Sequence, residues 1–188
     1  MSEKLYFKHL AEFSSTEGYW STSDCVIVAK DILARTRAKT MLEIGFNIGY
    51  SAAVWLEAGI KHLYVVDINA YKDTLPALTA TTLAYLDKKI AWILADSTSE
   101  EVKAWSIHPI DIAFIDGGHT YSVCMSDSLM SIDKGAKWLV YDDVIEHHSN
   151  GIWDVLTELE TQNKIELVCS YPMTWTGQGY VVLAKVLK

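Results

Sequence analysis

Short apolar runs alternate along this chain with stretches whose apolar residues recur at helical spacing. The runs fall at about 41–45, 62–67, 90–95, 111–115 and 137–141, and the helical stretches at about 51–57, 74–86, 99–105, 120–131 and 151–162. Such alternation predicts a doubly wound α/β fold, a mostly parallel sheet with helices on both faces. The C-terminal end breaks the rhythm. Ile165 to Cys169 and Tyr180 to Val186 both read as strands, and only Ser170 to Gly179 separates them, so the last strand is expected to return antiparallel. At the other end, residues 3–13 predict a short helix with Leu5, Phe7, Leu10 and Phe13 on its apolar side. A loop at 14–23 follows, holding Gly18, Tyr19 and Trp20, and Ser23 or Asp24 can cap a helix through Cys25, Val28, Ala29, Ile32 and Leu33. Residues 1–38 thus form an N-terminal helical segment, and the chain, 1–188, is expected to be a single domain.

Composition narrows the function. With 188 residues, half of them hydrophobic, the chain can bury one substantial core. It contains no apolar stretch long enough to span a bilayer, and its start, Met-Ser-Glu-Lys-Leu-Tyr, does not read as a signal peptide. A cytoplasmic protein with no membrane partner is expected. The net charge of −8 and scattered basic residues disfavour nucleic acid and favour a small-molecule partner. Cys25, Cys124 and Cys169 are odd in number, lack metal-type spacing and sit in apolar patterns, so they read as buried thiols.

The candidate chemistry lies where strands end, because ligands of open α/β sheets bind outside the carboxyl ends of the strands. Residues 41–51, Met-Leu-Glu-Ile-Gly-Phe-Asn-Ile-Gly-Tyr-Ser, read as strand, glycine turn and helix. A turn with so little bulk lets backbone N–H groups approach a nucleotide-like ligand. Asp67, about 20 residues further on at the tip of the second strand, is placed to accept hydrogen bonds from ribose hydroxyls. Carboxylates continue along the same edge with Asp96, Asp116, Asp142 and Asp143. Any one of them can equally serve as a cap for the segment that follows it. If the fourth and fifth strands are neighbours, about 5 Å apart, their carboxylates can converge on one cation, and an oxygen donor set suits Mg2+, Mn2+ or Ca2+ rather than zinc. His119 stands three residues beyond Asp116, where a cation and a helix N-terminus would both favour the neutral form that a general base needs. The bland alternative is a histidine bonded only within its turn.

The pair of motifs Glu43-Ile-Gly-Phe-Asn-Ile-Gly49 and Ile115-Asp-Gly-Gly-His-Thr-Tyr121 resembles the class I S-adenosylmethionine-dependent methyltransferases, within them the small-molecule branch that includes cephalosporin-hydroxylase-like and macrolide O-methyltransferases. The resemblance covers roughly residues 18–186. It implies a Rossmann-like domain with strand order 3-2-1-4-5-7-6 and an enzyme that moves a methyl group to a small-molecule acceptor, most simply a hydroxyl oxygen. By position it implies that Glu43, Gly45, Asn47 and Gly49 surround the methionine part of S-adenosylmethionine, that Asp67 holds its ribose, and that Asp96 and Ser97 lie by the adenine, with Asp116 also in contact. Asp116, Asp142 and Asp143 match metal-binding carboxylates, His119 with Asp116 matches the catalytic pair, and Trp20 and Ser21 fall where related enzymes close over the cofactor. Asn47 stands where the general class has a central glycine, which is tolerable because Asn visits left-handed conformations readily. Asp142 stands where metal-dependent relatives often have Glu.

Two rivals share this scaffold. A nicotinamide-dependent oxidoreductase would need glycine at position 50, which is Tyr50. A non-catalytic S-adenosylmethionine-binding protein would need neither an acceptor pocket nor the Asp116–His119 pattern. Tyr50, Trp153, Trp175 and the loops at 144–151 and 171–178 are placed to rim an acceptor pocket, which is either open or completed by a second subunit in a homo-oligomer. Trp55, Trp92, Trp105 and Trp138 read as core, and His147 and His148 as solvated.

Overall fold

The computed structural model describes residues 7–13, 20–107, 109–145, 151–173 and 179–187. Seven strands form one sheet: β1 (Thr40–Ile44), β2 (His62–Asp67), β3 (Lys89–Leu94), β4 (Ile112–Ile115), β5 (Trp138–Val144), β6 (Ile165–Pro172) and β7 (Tyr180–Val186). Six helices connect or precede them: α1 (Ser23–Thr36), α2 (Tyr50–Ala58), α3 (Thr74–Ala84), α4 (Glu100–Ala104), α5 (Tyr121–Asp133) and α6 (Ile152–Thr161). The strand order is β3-β2-β1-β4-β5-β7-β6, with β7 antiparallel to both neighbours and the first five strands parallel.

Strand side chains alternate between two cores. Met41, Leu63, Val65, Ile112, Phe114 and Val140 join the buried faces of α1, α2 and α3 on one side. Leu42, Ile44, Val66, Ala113, Ile115 and Tyr141 join α4, α5 and α6 on the other. Central strands covered on both faces carry near-continuous apolar sequence, as β4 does with all four residues buried. The chain runs outward from β1 to β3 and then jumps back to β4 beside β1, so the carboxyl ends of β1 and β4 flank the point where the order reverses and a crevice opens.

Several expectations need correction. Within the described part of residues 3–13 the chain makes only a 3-10 turn, Lys8–Leu10, with Leu10 buried and Phe7 and Phe13 partly so. Neither Ser23 nor Asp24 caps α1; the N-cap is Thr22, and its hydroxyl faces the Cys25 thiol instead. Trp92 is 36% exposed, because β3 is an edge strand with incomplete cover. Trp55 is fully buried, and Trp105 and Trp138 pack only partly buried against the cores. Cys25 and Cys124 are buried, whereas Cys169 is half-buried on β6. Gly18, Tyr19, His147, His148 and Trp175 lie outside the described residues. Among the described residues no helix is long and apolar enough to cross a membrane.

Candidate active site

The turn after β1 is built by backbone conformations that few residues adopt. Gly45 and Gly49 have φ of +92° and +83°, and Asn47 between them sits at +54°. A Cβ at Gly45 would stand 2.1 Å from the backbone oxygen of Asp116, so the absence of a side chain is what lets the β1 turn close against the end of β4. The Gly45 N–H donates to the Val66 carbonyl and the Asp116 N–H to the Ile44 carbonyl, which locks the ends of β2, β1 and β4 side by side.

Asp67 ties this turn down. Its Oδ2 accepts the N–H groups of Phe46 (2.7 Å) and Asn47 (3.0 Å), and its Oδ1 accepts that of Asn69 (2.6 Å). The carboxylate therefore shapes the glycine turn as well as lining the cleft above it. Glu43 takes a different place from the one its motif suggests. It is fully buried beneath the turn, outside the cleft walls, where Oε1 accepts the Ser51 hydroxyl at 2.5 Å and Oε2 has no hydrogen-bond partner. Burial pushes its pKa up to about 8, against the pull of the Ser51 hydroxyl, and the charges of Asp116 and Asp67 push the same way.

A cleft of about 750 Å3 runs along the carboxyl ends of the strands. Gly45, Asn47, Gly49, Asp67, Asp96, Ser97, Asp116, His119, Asp142 and Asp143 all line it, as do Trp20 and Tyr50. Asp96 is exposed at its rim, with Oδ1 accepting the Thr98 N–H and hydroxyl, contacts that hold its pKa below the usual carboxylate range.

At the other end, His119 Nε2 stands 3.8 Å from Asp116 Oδ1 and 3.8 Å from Asp143 Oδ2. Asp116, His119 and Asp143 each offer a ligand atom within 4.8 Å of the others. Asp142 is separate from that trio. It is buried, and its Oδ2 accepts the Trp20 indole N–H at 2.7 Å while Oδ1 has no hydrogen-bond partner. Burial holds its pKa well above the usual carboxylate range, and the charges of Asp116 and Asp143 add to the effect. Adjacent strand residues point to opposite faces, so two consecutive aspartates do not present alike. Here the β5–β7 register shifts between Tyr141 and Val144, and Asp143 takes a left-handed backbone (φ +52°), which re-aims its side chain toward Asp116 and His119. Trp20 itself packs against Trp55 and Phe114, with ring centroids 5.3 and 5.0 Å away.

Sequence reasoning did not single out Ser51 or the Phe46 amide, whose only signal is adjacency to the glycine turn. It also passed over Asp127, an acid on the buried stripe of α5. Trp153, proposed for the pocket rim, lies in the first turn of α6 and packs partly buried against the core instead.

A seven-stranded sheet of this order, with its last strand reversed and a cleft edged by carboxylates at the switch point, defines the class I methyltransferase fold. A sequence profile described as methyltransferase domain matches residues 42–144, from β1 to the end of β5, and the chain belongs to that family. No curated protein sequence matches the chain. Among solved structures it is similar in fold to TomG, an O-methyltransferase from Streptomyces achromogenes involved in tomaymycin synthesis, in complex with S-adenosylmethionine (13% identity, TM-score 0.70, covering 98% of this chain and 92% of that one). An O-methyltransferase from Bacillus cereus with S-adenosylhomocysteine is similar at 14% identity and a TM-score of 0.67, over 94% of this chain and 84% of its own. The S-adenosylhomocysteine-bound methyltransferase PaMTH1 from Podospora anserina is similar at 14% identity and a TM-score of 0.65, over 97% and 89%.

Proposed function

We propose that this protein is an S-adenosylmethionine-dependent methyltransferase acting on a hydroxyl oxygen of a small molecule. The observation that carries this reading is the meeting, in one cleft, of the Asp67-braced glycine turn with the Asp116–His119–Asp143 group. The solved relatives that hold S-adenosylmethionine or S-adenosylhomocysteine support the same donor.

When bound, S-adenosylmethionine supplies an electrophilic methyl group on a positively charged sulfur. Asp67, in the position of a ribose acceptor, and the backbone of Gly45, Asn47 and Gly49 would fix the donor's place, while Asp96 and Ser97 line the part of the cleft assigned to the adenine. Carboxylates along the cleft suit a cationic ligand. His119 is placed at the cleft to take the proton of an acceptor hydroxyl, whose oxygen would receive the methyl group that the donor supplies. Asp116 and Asp143, both carboxylates reachable from the cleft, fit a hard divalent cation, with the bare oxygen of Asp142 behind them. Such an ion would lower the pKa of an acceptor hydroxyl and orient it.

The test is methyl transfer to a panel of catechols and sugar hydroxyls, with and without Mg2+, by the wild-type protein and His119→Ala. Turnover on a hydroxyl acceptor that falls about 100-fold or more in the variant supports the reading. Methylation of amines only, or undiminished turnover in His119→Ala, contradicts it, and turnover unchanged by a chelator removes the cation.

A further inference from the structure

The two edges of the sheet are built differently. β6 carries features that keep an edge strand from pairing with another chain. Glu166 and Pro172 are among its exposed residues, its register against β7 shifts between Leu167 and Cys169, and the Leu167 N–H donates to a Glu160 carboxylate oxygen at 3.3 Å. β3 has none of these between Ile90 and Leu94. That run, Ile-Ala-Trp-Ile-Leu, contains no charge and no proline, and β3 pairs with β2 in unbroken register from Lys89 to Leu94. Among the described residues no strand lies on its other side.

Apolar surface gathers along the same edge. Ten large hydrophobic side chains are exposed among the described residues, and six of them, Ile68, Tyr71, Leu75, Leu83, Leu86 and Trp92, fall between the end of β2 and the middle of β3. Single exposed apolar residues are ordinary, whereas a concentration in one region marks an interaction surface. Leu86, 79% exposed, joins Ile90 and Ala91 in lining a groove of about 410 Å3 beside the strand.

Charge says what fits there. Lys88 and Lys89 precede the apolar run and Asp96 follows it. Asp87 takes the Lys88 ammonium at 3.4 Å, so the exposed Lys89 is the cation that the edge presents at one end and the exposed Asp96 is the anion at the other. A second copy of the strand laid antiparallel brings the basic start of each to the acidic end of the other, and two-fold symmetry makes that match twice. The pattern also selects a register. With Trp92 on the axis, Ile90 stands opposite the partner's Leu94, Ala91 opposite the partner's Ile93, and Lys89 beside the partner's Asp96. Moving the axis by one residue sets either Lys89 opposite the partner's Ile93 or Ile90 opposite the partner's Asp96.

We propose that this protein is a two-fold homodimer whose β3 strands pair antiparallel across an axis at Trp92, joining the two sheets into one. Asp96 is at the rim of the cleft, so this pairing also carries the partner's Lys89 to that rim.

The experiment is analytical ultracentrifugation of the full chain over a micromolar concentration series, joined to disulfide trapping of the register. Wild type is expected to sediment as a dimer. Trp92→Lys sets two cations face to face on the axis and should weaken association about 100-fold or more while its circular dichroism stays unchanged. Should that variant fail to fold, Ala91→Glu, at an exposed position of the same strand, decides. Ala91→Cys combined with Ile93→Cys places thiols opposite each other at the roughly 4.5–5.5 Å Cα separation of paired antiparallel strands, within disulfide reach. Mild oxidation should link that double variant into a covalent dimer, and should not link wild type, with its own Cys25, Cys124 and Cys169, or either single variant. A wild type that stays monomeric at every concentration overturns the inference, whether or not another protein can occupy the edge. So does a dimer that persists unchanged in the charged variant, or one in which the paired cysteines remain unlinked. Mass and cross-linking are independent of methyl transfer, so failure here leaves the methyltransferase reading to its own test.

Discussion

Glu43 makes the stability of the fold depend on pH in a direction opposite to that of an ordinary salt-bridged carboxylate. Its folded-state pKa is about 8, set chiefly by burial, against roughly 4.3 for an unfolded glutamate. The folded protein thus holds the proton more tightly than the unfolded chain does. The stabilising effect is complete below about pH 4 and is lost as pH rises toward 8, at about 1.4 kcal/mol per unit and on the order of 5 kcal/mol in all. That is a large share of the roughly 5–15 kcal/mol that holds a domain folded. Glu43→Gln mimics the protonated acid, keeps an oxygen for the Ser51 hydroxyl and cannot ionise. Urea unfolding followed by tryptophan fluorescence at pH 5, 7 and 9 should find the two proteins within about 1 kcal/mol at pH 5, with the variant ahead by several kcal/mol at pH 9. Parallel stability curves for the two proteins would refute the reasoning, since they would mean that Glu43 is ionised in the fold at every pH tested.

Other substitutions test the frame of the site. Gly45→Ala would force a side chain onto φ +92° and against the Asp116 carbonyl at 2.1 Å; a thermal melt should fall, by more than the roughly 1–2 kcal/mol of the backbone conformation alone, and an unchanged melt would mean that the turn and β4 are not in contact. Trp20→Phe keeps a ring against Trp55 and Phe114 but removes the donor to Asp142, and should cost about 1–3 kcal/mol in chemical denaturation. Full retention of stability would show that the indole N–H does not matter to that carboxylate.

The fold was readable because the central parallel strands are covered on both faces and leave near-unbroken apolar runs, while α1 and α6 show apolar residues at helical spacing. The reversal at β7 was visible as two strand-like runs in the sequence, Ile165 to Cys169 and Tyr180 to Val186, with no helix-like pattern of residues between them. What escaped depends on partners distant in sequence. Trp92 looks like core in isolation, and only its position on the edge strand exposes it. Asp142 and Asp143 read as an equivalent pair, but the bulge that separates their directions exists only because β5 pairs with β7. Glu43 sits in the motif beside ligand-facing glycines, yet strand alternation turns it under the turn toward Ser51. Most of the cleft wall was nonetheless legible, since strand tips in such a sheet share one edge by construction. Asp127 was not, because a carboxylate on a helix gives no sign in sequence of whether it faces water or the sheet.

The claim on which the rest depends is that the Asp67-braced turn and its cleft hold the adenosyl donor. Titration calorimetry with S-adenosylhomocysteine measures it directly, comparing wild type with Asp67→Ala, which removes the acceptor for the amides of Phe46, Asn47 and Asn69. One site on wild type, weakened about tenfold or more in a variant that remains folded by circular dichroism, is the predicted result. No binding to the wild-type protein, or equal affinity in the variant, would contradict the account.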